Sequence, residues 1–243
     1  MRKLIIDGFV IFFSIFASFS VENYRESVNE KDILNDAVIT LGEEMISNIK
    51  YTKEHLDQVK NMLFLTNEVV DNFNEISLEK VFKTHSDNPF LHNFNIDGNI
   101  KYVKKYDENS GLFLNSSWLA WEPERIFFQS MLNSGKLLEI KNKKLRKEIE
   151  SIYTKQEERV NGMALFTSDN SLDINKWFLE TQNKYDYDIS NNEVFEKFKD
   201  QKLKNLLKHR MFILKNRVTD IENYLQALQN VVLLISSEYK KLD

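Results

Sequence analysis

Cysteine is absent from the sequence, which excludes disulfides and thiolate chemistry. Proline occurs twice and glycine six times in 243 residues. That is too little punctuation for a fold of many short strands, so helices are expected to dominate. A basic excess is missing as well: the formal net charge is −4, which argues against a nucleic-acid-binding surface. The common catalytic signatures are also lacking. There is no Gly-rich nucleotide loop, no G-x-S-x-G turn and no H-E-x-x-H helix, and neither a cofactor nor an enzymatic activity is expected.

What the chain does have is an apolar start. Met1-Arg2-Lys3 precedes Leu4 to Val21, a run whose single charge is Asp7. As a helix this run is about 27 Å long, close to the ~30 Å hydrocarbon core of a bilayer. A secretory signal is the competing reading, with Ser18-Phe19-Ser20 as a small-x-small cleavage site. The run is longer than a signal core, no break separates it from the helix that follows, and Asp7 suits a signal core poorly. Residues 1–21 are therefore expected to form a transmembrane anchor. The dense charge of the short tail favours a cytoplasmic N-terminus in the inner membrane, with residues 22–243 forming a helical domain outside it.

Residues 22–86 read as one long helix. Leu34, Val38, Leu41, Met45, Ile49, Leu56, Val59, Leu63, Val70 and Phe73, with Thr52 and Thr66, keep a stripe on one face, and no proline interrupts them. Asp87-Asn88-Pro89 ends the pattern. Within the polar stretch 87–117, Phe94-Asn95-Ile96 and Ile100-Lys101-Tyr102 flank Asp97-Gly98, the signature of a small hairpin. Middle helices are expected over 118–190. Pro123 fits a first turn, Asn133-Ser134-Gly135 a C-terminal stop, Lys143 to Leu165 a helix, and Thr167 to Leu172 a polar link.

Across 191–243, Leu207, Met211, Leu214, Val218, Ile221, Leu225, Leu228, Val232, Ile235, Tyr239 and Leu242 alternate steps of four and three. Such a heptad seam needs a partner: the first long helix folded back antiparallel, or the same helix of another subunit. The expected fold class is all-α with a small β-hairpin, an N-terminal transmembrane helix running into an antiparallel helical bundle.

Two segments carry a resemblance. Leu4-Ile5-Ile6-Asp7-Gly8-Phe9-Val10 through Val21-Glu22-Asn23-Tyr24-Arg25-Glu26 is similar to the start of an uncharacterised family of bacterial single-pass membrane proteins. Met131-Leu132-Asn133-Ser134-Gly135-Lys136-Leu137, with Ile140, Asn142, Leu145 and Ile152-Tyr153, resembles a later segment of the same family. The resemblance touches about a fifth of the chain. It implies an uncleaved anchor and a helical domain, and it carries no activity. The phenylalanines and serines of the first helix depart from the mostly aliphatic family pattern.

Candidate contact residues follow from these readings. Asp7 is costly inside a membrane helix and shares a face with Ser14 and Ser18. Ser14, Ala17 and Ser18 form a patch of small residues that lets two helices approach, although Asp7 also lies four residues from Lys3 and can pair with it. Trp118, Trp121, Glu124 and Phe128 are the candidate ligand or partner surface, weighed against a plain core packed around a helix N-terminus. The histidines, His55, His85, His92 and His209, lack ligand spacing and are expected at the surface, with no metal site. The basic run Lys141 to Lys147 reads as a solvated face. The leading expectation is a membrane-anchored, non-enzymatic scaffold or assembly protein that contacts the lipid bilayer and associates with itself or a protein partner. The alternative is an extracytoplasmic sensor or ligand-binding module acting through a partner membrane protein.

Overall fold

The computed structural model describes residues 2–87, 94–96, 99–101, 120–185 and 187–239; the side chains of 2–15, Ser27 and the strand residues lie outside that description. Helix α1 spans Arg2–Asp71 and α2 Leu78–Asp87. Strands β1 (Phe94–Ile96) and β2 (Asn99–Lys101) pair antiparallel, Phe94 opposite Lys101 and Ile96 opposite Asn99. Then come α3 (Ile126–Asn133), α4 (Lys136–Glu139) and α5 (Lys143–Ser151). A π-helical turn (Ile152–Gln156) leads into α6 (Glu157–Tyr185), followed by α7 (Asn191–Phe198) and α8 (Gln201–Glu238). Apart from the strand pair, the class is all-α. The chain groups into two compact units.

One unit comprises Met1–Ile46, Arg125–Lys147 and Val231–Asp243. Its core holds Val38, Leu41, Met45, Phe128, Met131, Leu137, Ile140, Leu145 and Ile235. Helix α3 has no cap of its own, since Arg125 stands at the N-cap without a side-chain bond. The Glu44 carboxylate supplies one from α1, accepting the N–H groups of Phe127 at 2.7 Å and Phe128 at 3.4 Å. A carboxylate there satisfies exposed amides and meets the positive end of the helix dipole. At the far end the Ser-Gly stop stands where the sequence places it: α3 closes at Asn133, and Gly135 takes φ +77°, a conformation a side chain adopts reluctantly. The Asn142 Oδ1 accepts from the Lys144 and Leu145 amides and caps α5, while its Nδ2 donates to Glu238.

The other unit comprises Ser47–Glu124 and Glu148–Asn230. Its three long helices, α1, α6 and α8, pack together. Helix α8 runs antiparallel to α1, His55 meeting Arg217 and Phe73 meeting Lys204. It also runs antiparallel to α6, where Glu157 meets Tyr224 and Asn170 meets Arg210. Buried positions in all three recur at steps of three and four: Thr52, His55, Val59, Met62, Thr66 and Val69 in α1; Glu157, Val160, Ala164, Thr167, Ser171, Ile174 and Phe178 in α6; Leu203, Leu207, Arg210, Leu214, Arg217, Ile221, Tyr224 and Leu228 in α8. A mean step of 3.5 keeps one stripe turned toward its partners along the whole helix.

Several expected boundaries move, each for a local reason. The first helix stops at Asp71 rather than near residue 86. The Glu75 and Ile76 amides both bond the Asn72 carbonyl, Phe73 and Ile76 are buried in the corner, and Ser77 caps α2 through the Lys80 N–H at 3.3 Å. Pro123 lies before a helix rather than in its first turn. Asn48 takes both backbone groups of Glu124, at 2.8 Å each, and the Tyr51 hydroxyl accepts the Glu122 N–H at 3.0 Å, so this backbone is committed to α1. The single helix expected over 191–243 is two. Asp200 interrupts it, its Oδ1 accepting the Leu203 N–H at 2.9 Å as an N-cap and the Trp177 Nε1–H at 3.0 Å.

The segment expected as a polar link, Thr167 to Leu172, is helical and partly core. Thr167 and Ser171 return their hydroxyls to carbonyls four residues back. The π-helical turn explains how the α5 stripe joins the α6 stripe. Leu145, Ile149 and Ile152 would continue to Gln156 and Arg159, but the turn admits one extra residue, and Glu157, Val160 and Ala164 face inward instead.

Among the described residues no helix is long and apolar enough to cross a membrane. Most of the expected anchor, Leu4 to Val21, lies outside the described side chains, as do Asp97-Gly98 of the hairpin turn and the seam residue Leu242.

Gly162 lies within α6, and a β-carbon there meets nothing within 4 Å. Gly162→Ala is expected to stabilise the fold by about 0.5–1 kcal/mol, read as a higher urea midpoint at unchanged slope; a lower midpoint would contradict the open environment described.

Candidate functional site

Polar groups inside the three-helix unit form its most unusual feature. Arg210 and Arg217 are both fully enclosed, two turns apart on the inward stripe of α8. Transfer of a guanidinium from water is expensive, and the charge is retained only where hydrogen bonds replace the lost solvent. Arg210 donates from Nε to Asn170 Oδ1 at 2.9 Å and from NH2 to Ser171 Oγ at 2.6 Å. The Asn170 Nδ2 turns to the Leu206 carbonyl at 3.1 Å, which fixes the amide orientation that Arg210 needs.

Arg217 donates to Thr167 Oγ1 at 3.4 Å and lies 3.0 Å from His55 Nε2. A guanidinium has only donors, so Nε2 accepts, and the imidazole proton sits on Nδ1. Burial, and then the neighbouring Arg217 charge, push His55 down to about 3 from its ordinary 6.5, so the ring is neutral at physiological pH. Burial also draws Arg210 down to about 9 and Arg217 to about 10; both stay cationic at neutral pH.

A carboxylate and an aromatic cluster continue the column. Glu157, with no exposed surface, accepts from the Tyr224 hydroxyl at 3.4 Å. Trp121 meets the Tyr224 ring edge-to-face at 4.8 Å between centroids and donates from Nε1 to Thr52 Oγ1 at 3.3 Å. Together these groups tie α1, α6 and α8 to one another at set heights. Chemically the arrangement orients helices: the donors and acceptors described here are turned toward other residues of the same core.

The sequence candidates distribute as follows. Trp121 and Phe128 are buried, the first against Tyr224 and the second at the amide end that Glu44 caps. Glu124 is exposed, its backbone held by Asn48. Trp118 lies outside the described residues, as do the side chains of Asp7 and Ser14; Ala17 and Ser18 are exposed. The expectation of surface histidines fails for His55 and His85, which the helices enclose, and holds for His209; His92 lies outside the description. Among the described residues no group of three or more His, Asp or Glu side chains is placed to hold a metal ion.

One exposed surface continues from the expected anchor, and another escaped the sequence reading. Every described side chain from Phe16 to Ile33 is exposed, Phe19, Val21 and Tyr24 included. On α6, Leu165, Leu172 and Leu179 recur at seven-residue spacing and are 64%, 63% and 56% exposed. The second signal is readable in the sequence as a repeat, but it falls partly in the stretch expected to be a polar link. Comparison with known proteins finds no matching family model, no matching curated protein and no matching solved structure.

Two outcomes test the polar column. In the unfolded chain His55 takes up a proton below about pH 6.5, whereas in the fold it does so only near 3. The unfolded state therefore binds more protons between these values, and stability falls as pH is lowered through that window, by about 2 kcal/mol at pH 5 relative to pH 7.5. Urea melts of His55→Gln, which keeps an acceptor, should lack this increment; an equal loss in variant and parent would exclude His55 as its source. Asn170→Leu strands the Arg210 Nε–H and is expected to cost about 3 kcal/mol, while adding Arg210→Met should recover most of it. Additive losses in that double-mutant cycle would mean that the two residues are not coupled.

Proposed function

We propose that the chain is a membrane-anchored, non-enzymatic scaffold that acts by helix packing and associates with copies of itself or with a protein partner. The observation that carries this reading is the bare stretch of α1. From Phe16 to Ile33 the helix is about 27 Å long with every described side chain exposed, aromatic and aliphatic ones among them. Exposed apolar area of this kind is unfavourable in water and is relieved by a bilayer or another protein. It overlaps the end of the apolar run Leu4 to Val21, and residues 1–21 are the proposed inner-membrane anchor, with the rest of the chain outside.

In this reading Asp7, Ser14, Ala17 and Ser18 face a neighbouring helix in the membrane. Small side chains there permit close backbone approach, and a carboxylate in hydrocarbon is tolerated when turned toward a partner. The antiparallel bundle with its heptad-patterned C-terminal helix is, in this reading, the part of the chain outside the membrane. Its enclosed polar column supports a structural role, because such groups set helix register.

The expected outcome is that full-length protein fractionates with membranes and, in nanodiscs or mild detergent, has a larger assembly mass than a version lacking residues 1–21. A full-length protein that stays in the soluble fraction, or one that is monomeric and retrieves no partner in pull-downs, would overturn the reading.

A further inference from the structure

The α6 surface carries a pattern that fits a second copy of itself. Leu165, Leu172 and Leu179 form a straight exposed line, since seven residues are close to two full turns. Asp169 and Lys176 flank the line on the same edge, three residues before Leu172 and four after it, and both are exposed. Lys176 makes a long 4.0 Å contact to Glu180 on its own helix. An open groove of about 650 Å³ runs beside Leu172, Lys176 and Leu179.

We propose that two copies of the chain pair through this face, with their α6 helices antiparallel about a two-fold axis at Leu172. The axis sets Leu172 against its own counterpart and Leu165 against the partner's Leu179. It also brings Asp169 opposite the partner's Lys176, twice per dimer, because an axis perpendicular to the helices keeps like edges together. On the other edge Ser168 faces the partner's Asn175. A parallel pairing joins unlike edges and brings no opposite charges together. The charge pattern thus selects the antiparallel register, as flanking charges do in paired helices generally.

The proposal rests on the assembly reading above and adds to it the surface, the symmetry and the register. Helices α1 and α6 run in the same direction through their shared unit, so the axis reverses the α1 segments of the two copies. A pair made through α6 therefore does not also set its two anchors side by side, so this contact is additional to the one proposed at Asp7, Ser14, Ala17 and Ser18.

The test uses full-length protein in mild detergent, with dimer affinity read by sedimentation and register by cysteine cross-linking. Asp169→Lys and Lys176→Asp are each expected to weaken the dimer about tenfold or more, and the double reversal to restore it to within about threefold of the parent. Leu172→Cys should form a symmetric disulfide, and a mixture of Leu165→Cys with Leu179→Cys should cross-link more than either alone. All these positions are exposed, so circular dichroism melts should stay unchanged and separate lost pairing from lost folding. Single reversals that leave the affinity unchanged, or Leu165→Cys linking chiefly to itself, would overturn the proposal. A full-length oligomer indifferent to every one of these changes overturns this surface while leaving the assembly reading standing; a protein monomeric at all concentrations overturns both.

Discussion

Two buried guanidinium groups constrain everything packed around them. Arg210 and Arg217 occupy positions on α8 that leucine or valine would fill in an ordinary seam. Each is tolerable only where its particular acceptors stand: Asn170 and Ser171 for the first, His55 and Thr167 for the second. An all-apolar seam can slip by one heptad at modest cost, because leucine replaces leucine. Here such a slip would bring Tyr224 to the level of His55 and carry Arg210 past its acceptors, leaving a charge enclosed without its hydrogen bonds. The penalty of several kcal/mol for that error, rather than any large gain from the correct pairing, holds the three helices at one register.

The same residues explain what could be read in advance and what could not. Helical class, the Ser-Gly stop before Gly135 and one half of the α8 stripe (Leu207, Leu214, Ile221, Leu228) were legible, because apolar periodicity and glycine chemistry are local signals. The other half of the stripe was not. A pattern built on hydrophobic residues chose Met211 and Val218, which are half-buried, over Arg210 and Arg217, which are enclosed. Thr167 to Leu172 looked like a link for the same reason: its polar side chains have meaning only beside arginines some forty residues later. The break at Asn72 and the restart at Asp200 did have signals, in Ser77 and Asp200 as N-caps, but a continuous stripe on either side concealed them.

The aromatic segment around Trp121 shows how a local cluster can mislead. Dense aromatics beside carboxylates suggest a pocket. In the fold, Trp121 is spent on Thr52 and Tyr224, and the adjacent backbone is held along α1 by Asn48 and Tyr51. What makes this segment specific is long-range pairing to side chains some seventy residues earlier in the chain. The exposed leucines of α6 are the reverse case. Nothing about them looks functional in isolation, and their interest arises only once the opposite face of the same helix is known to be fully occupied.

The π-helical turn at Ile152–Gln156 bears on how this chain can change length. Elsewhere in a long helix, losing one residue swings everything downstream by about 100° and turns a buried stripe out to solvent. Between Ser151 and Glu157 the surplus residue is already present, stored as a widened coil. Deleting it would tighten the backbone to ordinary α geometry with Glu157, Val160 and Ala164 still facing the core, whereas tightening without the deletion would turn Gln156, Arg159 and Met163 inward instead. The widened coil is thus a phase adjuster: it takes up one residue of length without turning the partners of the buried arginines away from them.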